Sequence, residues 1–279
     1  EVRVGENVKK VSFGTGSSII ETGNDKIHAK MVIGADGTAS TVAKSLGLKW
    51  SNDELVILSQ KELSDVYETD EDIIDVFYGE NVSSNTYAAI YPKSNGNVSF
   101  GLGEKMGVNV KAKMDELSDN HPVISKYLRN SKTSVYARGI VPVFNKGRKS
   151  YGSCYLLAGD AAGQVNPHTG EGIEYAMLCG QMAGKVSGYA AKSGDFSEKK
   201  LKDYENMWGK EFGWQFRLAK MMRVPVSDRL LNKQSKIFRE NDALRKIMAE
   251  TLDEGRYSVM ITKSLISPKA LYGLIRMMI

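Results

Sequence analysis

Short apolar or alternating runs, bounded by turn residues, occupy the first half of the chain, and helical spacing takes over towards its end. Val8–Ser12 and Ile19–Thr22 read as the two strands of a hairpin about a glycine turn at Gly14–Gly16, and Glu1–Val4 reads as the interior of a sheet. Met31–Gly34 is a buried-type strand, followed by a short helix over Ser40–Leu46 that Gly47 stops. Leu55–Gln60, Asp75–Tyr78, Tyr87–Tyr91 and Val98–Gly103 read as antiparallel strands, with turn signals at Tyr78–Asn81 and Ser94–Asn97 between them. Helices are expected near Val110–Leu117 and Pro122–Arg129, and Ser134–Val143 returns as a strand. A short apolar strand, Tyr155–Ala158, leads through a loop into a long helix over Ile173–Ala191, and from Ser197 the pattern is helical. The expected class is α/β with an α+β character.

Composition narrows the classes of function. At 279 residues and 42% hydrophobic content the chain can bury a substantial core in two units. Thirty-eight Lys+Arg against 33 Asp+Glu leave a net charge of only +5, without the dense basic run that nucleic-acid binding uses. The two cysteines, Cys154 and Cys179, make neither a metal-binding pair nor a disulfide framework, so no metal site is expected and a reducing, cytoplasmic setting is. No stretch reaches the roughly 18 uninterrupted apolar residues of a spanning helix. Leu265–Ile279 is strongly apolar with two isolated cations, Lys269 and Arg276. Such a helix packs on the protein's own helical tail or lies at a membrane surface.

The chemistry concentrates in Gly159-Asp160-Ala161-Ala162-Gly163, where an apolar strand ends in a carboxylate followed by small residues. Asp160 can accept hydrogen bonds from a sugar or ribityl hydroxyl, and the small residues let backbone N–H groups approach phosphate oxygens. The helix opening near Gly170 presents unpaired N–H groups and the positive end of its dipole. This combination suits a nucleotide cofactor. The stretch resembles the GD motif of FAD-dependent oxidoreductases related to aromatic hydroxylases, and Thr169-Gly170-Glu171-Gly172-Ile173 narrows the resemblance to the geranylgeranyl reductase family. Gly34-Ala35-Asp36-Gly37 is similar to the DG motif of the same flavoproteins, in the expected chain order.

The resemblance implies an FAD-binding Rossmann-like unit of the aromatic-hydroxylase type, formed by residues 1–49 and 136–196. An antiparallel substrate domain over residues 50–135 and a C-terminal helical region over residues 197–279 complete it. The family's opening Gly-x-Gly-x-x-Gly segment has no counterpart here, so the cofactor unit is expected to be incomplete. Gly34, Asp36, Gly37, Gly159 to Gly163 and Thr169 to Ile173 would contact FAD. Tyr87-Ala88-Ala89-Ile90-Tyr91-Pro92 is similar to the family's Tyr-x-Trp-x-Phe-Pro stretch, which implies a substrate-binding role for Tyr87, Ala89, Tyr91 and Pro92. Alternation puts Tyr87, Ala89 and Tyr91 on one face of that strand.

The implied reaction is reduction of isolated C=C bonds in geranylgeranyl chains of a prenyl or archaeal-type ether lipid. Hydride would come from reduced FAD and a proton from an acid for which His168, Tyr87 and Tyr91 are candidates. Electrons would come from ferredoxin or NAD(P)H, and a peripheral membrane contact would accompany a lipid substrate. Two other readings stay open: an FAD-dependent aromatic monooxygenase, and a non-catalytic lipid-binding remnant.

Overall fold

The computed structural model describes residues 1–66, 70–84, 86–143, 148–222, 227–254 and 257–278. The chain divides into two compact units, Glu1–Glu54 with Val141–Arg223, and Leu55–Ile140 with Val224–Ile279.

In the first unit β1 (Lys10–Phe13), β2 (Ser18–Glu21) and β3 (Lys26–Ala29) form an antiparallel sheet, and Gly14 N–H closes the first turn on Ser17 O at 2.8 Å. β4 (Val32–Gly34) and α1 (Thr41–Ser45) follow. Glu1–Val4 is not a strand: Val2 and Val4 are 88% and 92% exposed, because alternation without a paired neighbour satisfies neither side chains nor backbone.

β5 (Leu55–Ser64), β6 (Asp75–Phe77), β7 (Ala88–Pro92), β8 (Val98–Lys105) and β9 (Lys132–Pro142) make the five-stranded sheet of the second unit, in the order β6-β7-β8-β5-β9. Its core face carries Ile57, Leu63, Phe100, Leu102, Ala88 and Ile90 against Met114 and Leu117 of α2 (Val110–Asn120) and Ile124 and Leu128 of α3 (Ile124–Leu128). The other face is built from the alternate residues, so Ala89 stands opposite Gly101 and Tyr91 opposite Ser99.

β10 (Tyr151–Gly152) and β11 (Tyr155–Leu157) return the chain to the first unit, where β11 pairs parallel with β4. β11 is buried on both sides. Leu156 packs with the helices α4 (Ile173–Ser193), α5 (Glu198–Trp208) and α6 (Trp214–Met222), while Leu157 packs with Val11, Val42 and Ala43. Each fully buried leucine contributes about 2 kcal/mol by removal from water. Gly34 is required at this crossing, since a Cβ there would lie 2.7 Å from Leu157 Cδ2 and 2.8 Å from Val42 Cβ.

The helical tail is shared between the units rather than standing alone: α5 and α6 belong to the first, and α7 (Asp228–Glu240), α8 (Asp242–Glu254), α9 (Tyr257–Ile266) and α10 (Pro268–Met278) to the second. Among the described residues no helix is long and apolar enough to cross a membrane.

Candidate cofactor site

Parallel pairing of β4 and β11 brings the two acidic loops to the same end of the sheet. Ala158 N–H extends the ladder to Gly34 O at 2.9 Å, so the strands leave the sheet side by side. Thr38 Oγ1 then donates to Asp160 Oδ2 at 3.2 Å, which joins loops 122 residues apart in sequence.

The two aspartates nonetheless do different work. Asp36 accepts from Ser40 Oγ at 2.5 Å and from the N–H groups of Thr41 and Val42 at 2.7 and 3.2 Å, so both its oxygens hold the start of α1. Asp160 keeps Oδ1 without a donor among the described residues, and burial lifts its carboxyl above the ordinary value while the Thr38 hydroxyl pulls it back in part. The Cα of Gly172 lies beside that free oxygen, where a Cβ would come within 3.3 Å of it.

Asp160 sits in a short 3₁₀ turn, Gly159–Ala162, bounded by Gly159 and Gly163 at φ 63° and 71°. Gly159 N–H donates to Gln164 Oε1 at 2.8 Å, Gln164 Nε2 to Tyr204 Oη at 3.0 Å, and Tyr204 Oη to Leu157 O at 2.8 Å. This chain of bonds is buried and fixes the turn to both β11 and α5. Burial raises the Tyr204 hydroxyl and pushes the adjacent Cys179 thiol up to about 12, so both stay protonated and neutral. Cys154, also buried, has φ 64° in the turn before β11 and donates its N–H to Phe196 O at 3.0 Å.

From Gln164 the loop folds about Asn166, whose Oδ1 accepts from the N–H groups of His168 and Thr169 at 2.9 and 3.3 Å. Asn166 N–H donates to Glu171 O at 2.8 Å and Gly170 N–H to Asn166 O at 2.9 Å. Glu171 and Gly170 are exposed, His168 and Thr169 half-buried, and Gly172 opens α4. Ile173 on its first turn is 80% exposed.

A second link crosses the loops at Trp50. Its Nε1 donates to Thr38 O at 3.0 Å, and the Arg148 guanidinium lies 3.5 Å from the centre of the indole while Arg148 Nε donates to Ala161 O at 3.1 Å.

The sequence pattern of a family described as "FAD binding domain" matches residues 18–185, a span that holds both loops. The chain belongs to that family. It is 32% identical over 230 residues to a digeranylgeranylglycerophospholipid reductase of Methanocaldococcus jannaschii, covering 81% of this chain and 56% of the relative. A second such reductase, from Methanopyrus kandleri, is 31% identical, with 89% and 63% covered. The chain thus spans about six-tenths of the length of these curated relatives. A solved geranylgeranyl bacteriochlorophyll reductase-like protein of Thermoplasma acidophilum superposes with a TM-score of 0.72 at 25% identity, over 83% of this chain and 61% of that one. The FAD complex of the halogenase PltM shares the fold, with a TM-score of 0.61 at 13% identity, over 93% of this chain and 58% of that one.

The site's donor set suits the dinucleotide for which the family is named. Asp160 Oδ1, which has no donor among the described residues, can accept from a hydroxyl, and the turn that follows carries no side chain larger than a methyl group. Among the sequence candidates, Gly34, Asp36, Gly37, Gly159 to Gly163 and Thr169 to Ile173 all lie in the first unit. Tyr87, Ala89, Tyr91 and Pro92 lie in the second, on or next to β7. Tyr87 precedes that strand and packs on Tyr78 at 5.6 Å, and Pro92 falls on the core-facing side with Ala88 and Ile90, opposite to Ala89 and Tyr91. Among the described residues no group of three or more His, Cys, Asp or Glu is placed to hold a metal ion. Trp50, Arg148, Gln164 and Tyr204 carry no motif. Arg148 reads in sequence as one of several surface charges, and Tyr204 as one more apolar position of an amphipathic helix.

Proposed function

We propose that this chain is the flavin-bearing part of an FAD-dependent reductase that saturates isolated C=C bonds in the geranylgeranyl chains of a glycerophospholipid precursor. The observation that carries the cofactor half is the joined pair of loops, with one oxygen of Asp160 left without a donor among the described residues. Similarity to two reductases whose names specify the digeranylgeranyl lipid supports the substrate half.

FAD, when bound, supplies the hydride. Asp160 Oδ1 holds a sugar or ribityl hydroxyl, and the turn Gly159–Gly163 offers backbone to phosphate oxygens. The opening of α4 at Gly172–Ile173 favours negative charge by about 1 kcal/mol. An unpolarised alkene develops positive charge as hydride arrives, so a proton has to be given at the same site and water kept out. His168 is the first residue to test for that proton, because Asn166 holds its backbone in place and an imidazole is a common general acid. Ala89 and Tyr91, on the face of β7 that carries Gly101 and Ser99 opposite them, are the wall for the isoprenoid chain. A lipid substrate also brings contact with a membrane surface, and the exposed side chains of α9 and α10 supply the means.

The test is to add FAD to the purified chain, reduce it with dithionite and incubate it with a digeranylgeranyl glycerophospholipid. A mass gain of about 2 Da per reduced bond supports the reading. Gain of an oxygen atom instead overturns it in favour of a monooxygenase, and lipid binding without flavin or product favours a non-catalytic lipid-binding protein.

A further inference from the structure

We propose that Arg148, laid flat on the Trp50 indole beside the Gly159–Gly163 turn, is the cationic arm of a phosphoryl-binding site. Three observations carry it. The guanidinium is half-buried, and among the described residues Nε has a partner in Ala161 O while the two Nη groups have none. Stacking on a ring uses the face of the guanidinium and leaves its edge open, the geometry that binds two oxygens of a phosphoryl group at once. Finally, the platform is built in: a Cβ on Gly163 would fall 2.8 Å from Trp50 Cη2 and 3.7 Å from Arg148 Cδ, so the bare left-handed glycine admits the indole beneath the turn.

Charge balance points the same way. Burial pulls the Arg148 guanidinium below its ordinary value, and the acid whose charge opposes this, Glu54, has an oxygen bonded to the N–H and hydroxyl of Ser51 at 2.9 and 2.7 Å. Its neighbour Lys149 is by contrast paired with Glu198 at 2.7 Å. A partly desolvated cation with open donors is stabilised by an incoming anion more than a solvated one is.

The phosphoryl group has two sources within the proposed function, on which this inference rests for its natural ligand: the pyrophosphate of FAD and the phosphate of the lipid. The experiment titrates the full chain calorimetrically with inorganic pyrophosphate, FAD, riboflavin (which has the ring and no phosphate), and the prenyl glycerol lipid with and without its phosphate. Arg148→Gln and Arg148→Lys are compared with the wild type, each checked for an unchanged unliganded melting temperature.

If the cofactor is the source, Arg148→Gln weakens FAD and pyrophosphate by about 10- to 100-fold and leaves riboflavin within about twofold, with Lys restoring part of the loss. If the lipid is the source, pyrophosphate and the phosphorylated lipid weaken while FAD does not. Equal losses for riboflavin and FAD would reduce Arg148 to a brace for the turn and overturn the inference, as would wild-type affinity for none of the phosphorylated probes. Arg148-dependent pyrophosphate binding by a chain that takes up no flavin would sink the flavin reading alone.

Discussion

Asp36 and Asp160 follow neighbouring parallel strands, and each precedes a glycine-containing or small-residue stretch, yet their side chains meet opposite demands. Asp36 has N–H donors from the first turn of α1 and so is satisfied by its own neighbourhood. Asp160 has one hydroxyl from a distant loop and, among the described residues, no donor to its other oxygen. Its carboxyl is raised above the model-peptide value of 3.8 by burial. A folded pKa above the unfolded one means that the folded state holds the proton more tightly, so the ionised group subtracts from stability above the raised pKa. That deficit disappears as pH falls below the unfolded value. Asp160→Asn, which keeps an acceptor for Thr38, is therefore expected to melt higher than the wild type at pH 7 while binding FAD more weakly. The gap in melting temperature should close between neutrality and about pH 4. A gap that is absent at neutral pH, or that widens in acid, would show that the Asp160 carboxylate carries no desolvation penalty. The carboxylate's identity was legible from sequence because small residues follow it. Its unpaired oxygen was not, because that depends on which donors a loop 122 residues away brings along.

At the scale of elements, sequence patterning located the strands and helices well and their ends less so. β5 runs on to Ser64, past the apolar run that marks it, because Lys61 points inward and pairs with Asp115 of α2, an ion pair that no alternation rule anticipates. β7 begins at Ala88, one residue late, and Glu1–Val4 has no strand to join. The latch between β11 and α5 left no sequence signal, since Tyr204 and Leu157 are 47 residues apart. Leu201, Tyr204 and Trp208 are the buried stripe of α5, and a tyrosine there reads as packing until its hydroxyl is seen between Leu157 O and Gln164 Nε2. Tyr204→Phe keeps the packing and deletes that hydroxyl, which leaves a buried carbonyl and a buried amide short of partners. A loss of about 1–3 kcal/mol in urea unfolding is expected. No measurable loss would mean that water or a rotated Gln164 takes the hydroxyl's place.

At the scale of the molecule, each unit is assembled from two separated stretches of chain, and the helical tail contributes to both. A linear reading sees one uninterrupted helical region there because helix periodicity carries no information on which core a helix joins. In the second unit Asn241, at the end of α7, accepts the N–H of Leu244 at 3.0 Å and donates to Lys269 O at 2.7 Å, which fastens α10 with Ala270 buried. The face left outward carries Ile266 at 82% exposure, Leu265 at 65%, Tyr272 and Ile275, together with the cations Lys269 and Arg276. Arg276 lies 5.8 Å from the Tyr272 ring, and residues 265–279 contain no acid. Apolar side chains flanked by cations fit the interface of an anionic bilayer, where each basic residue near the surface contributes about 1 kcal/mol. Vesicles with about 30% phosphatidylglycerol in phosphatidylcholine should therefore sediment the chain about tenfold or more effectively than vesicles of phosphatidylcholine alone. Raising the salt from about 0.1 to 0.5 M should remove most of that preference. Ile266→Asp places a negative charge at the most exposed apolar position of this face, which has little packing to lose, so it should abolish binding without lowering the melting temperature. Equal binding to neutral vesicles, or full binding by Ile266→Asp, would assign these apolar side chains to something other than a charged lipid surface.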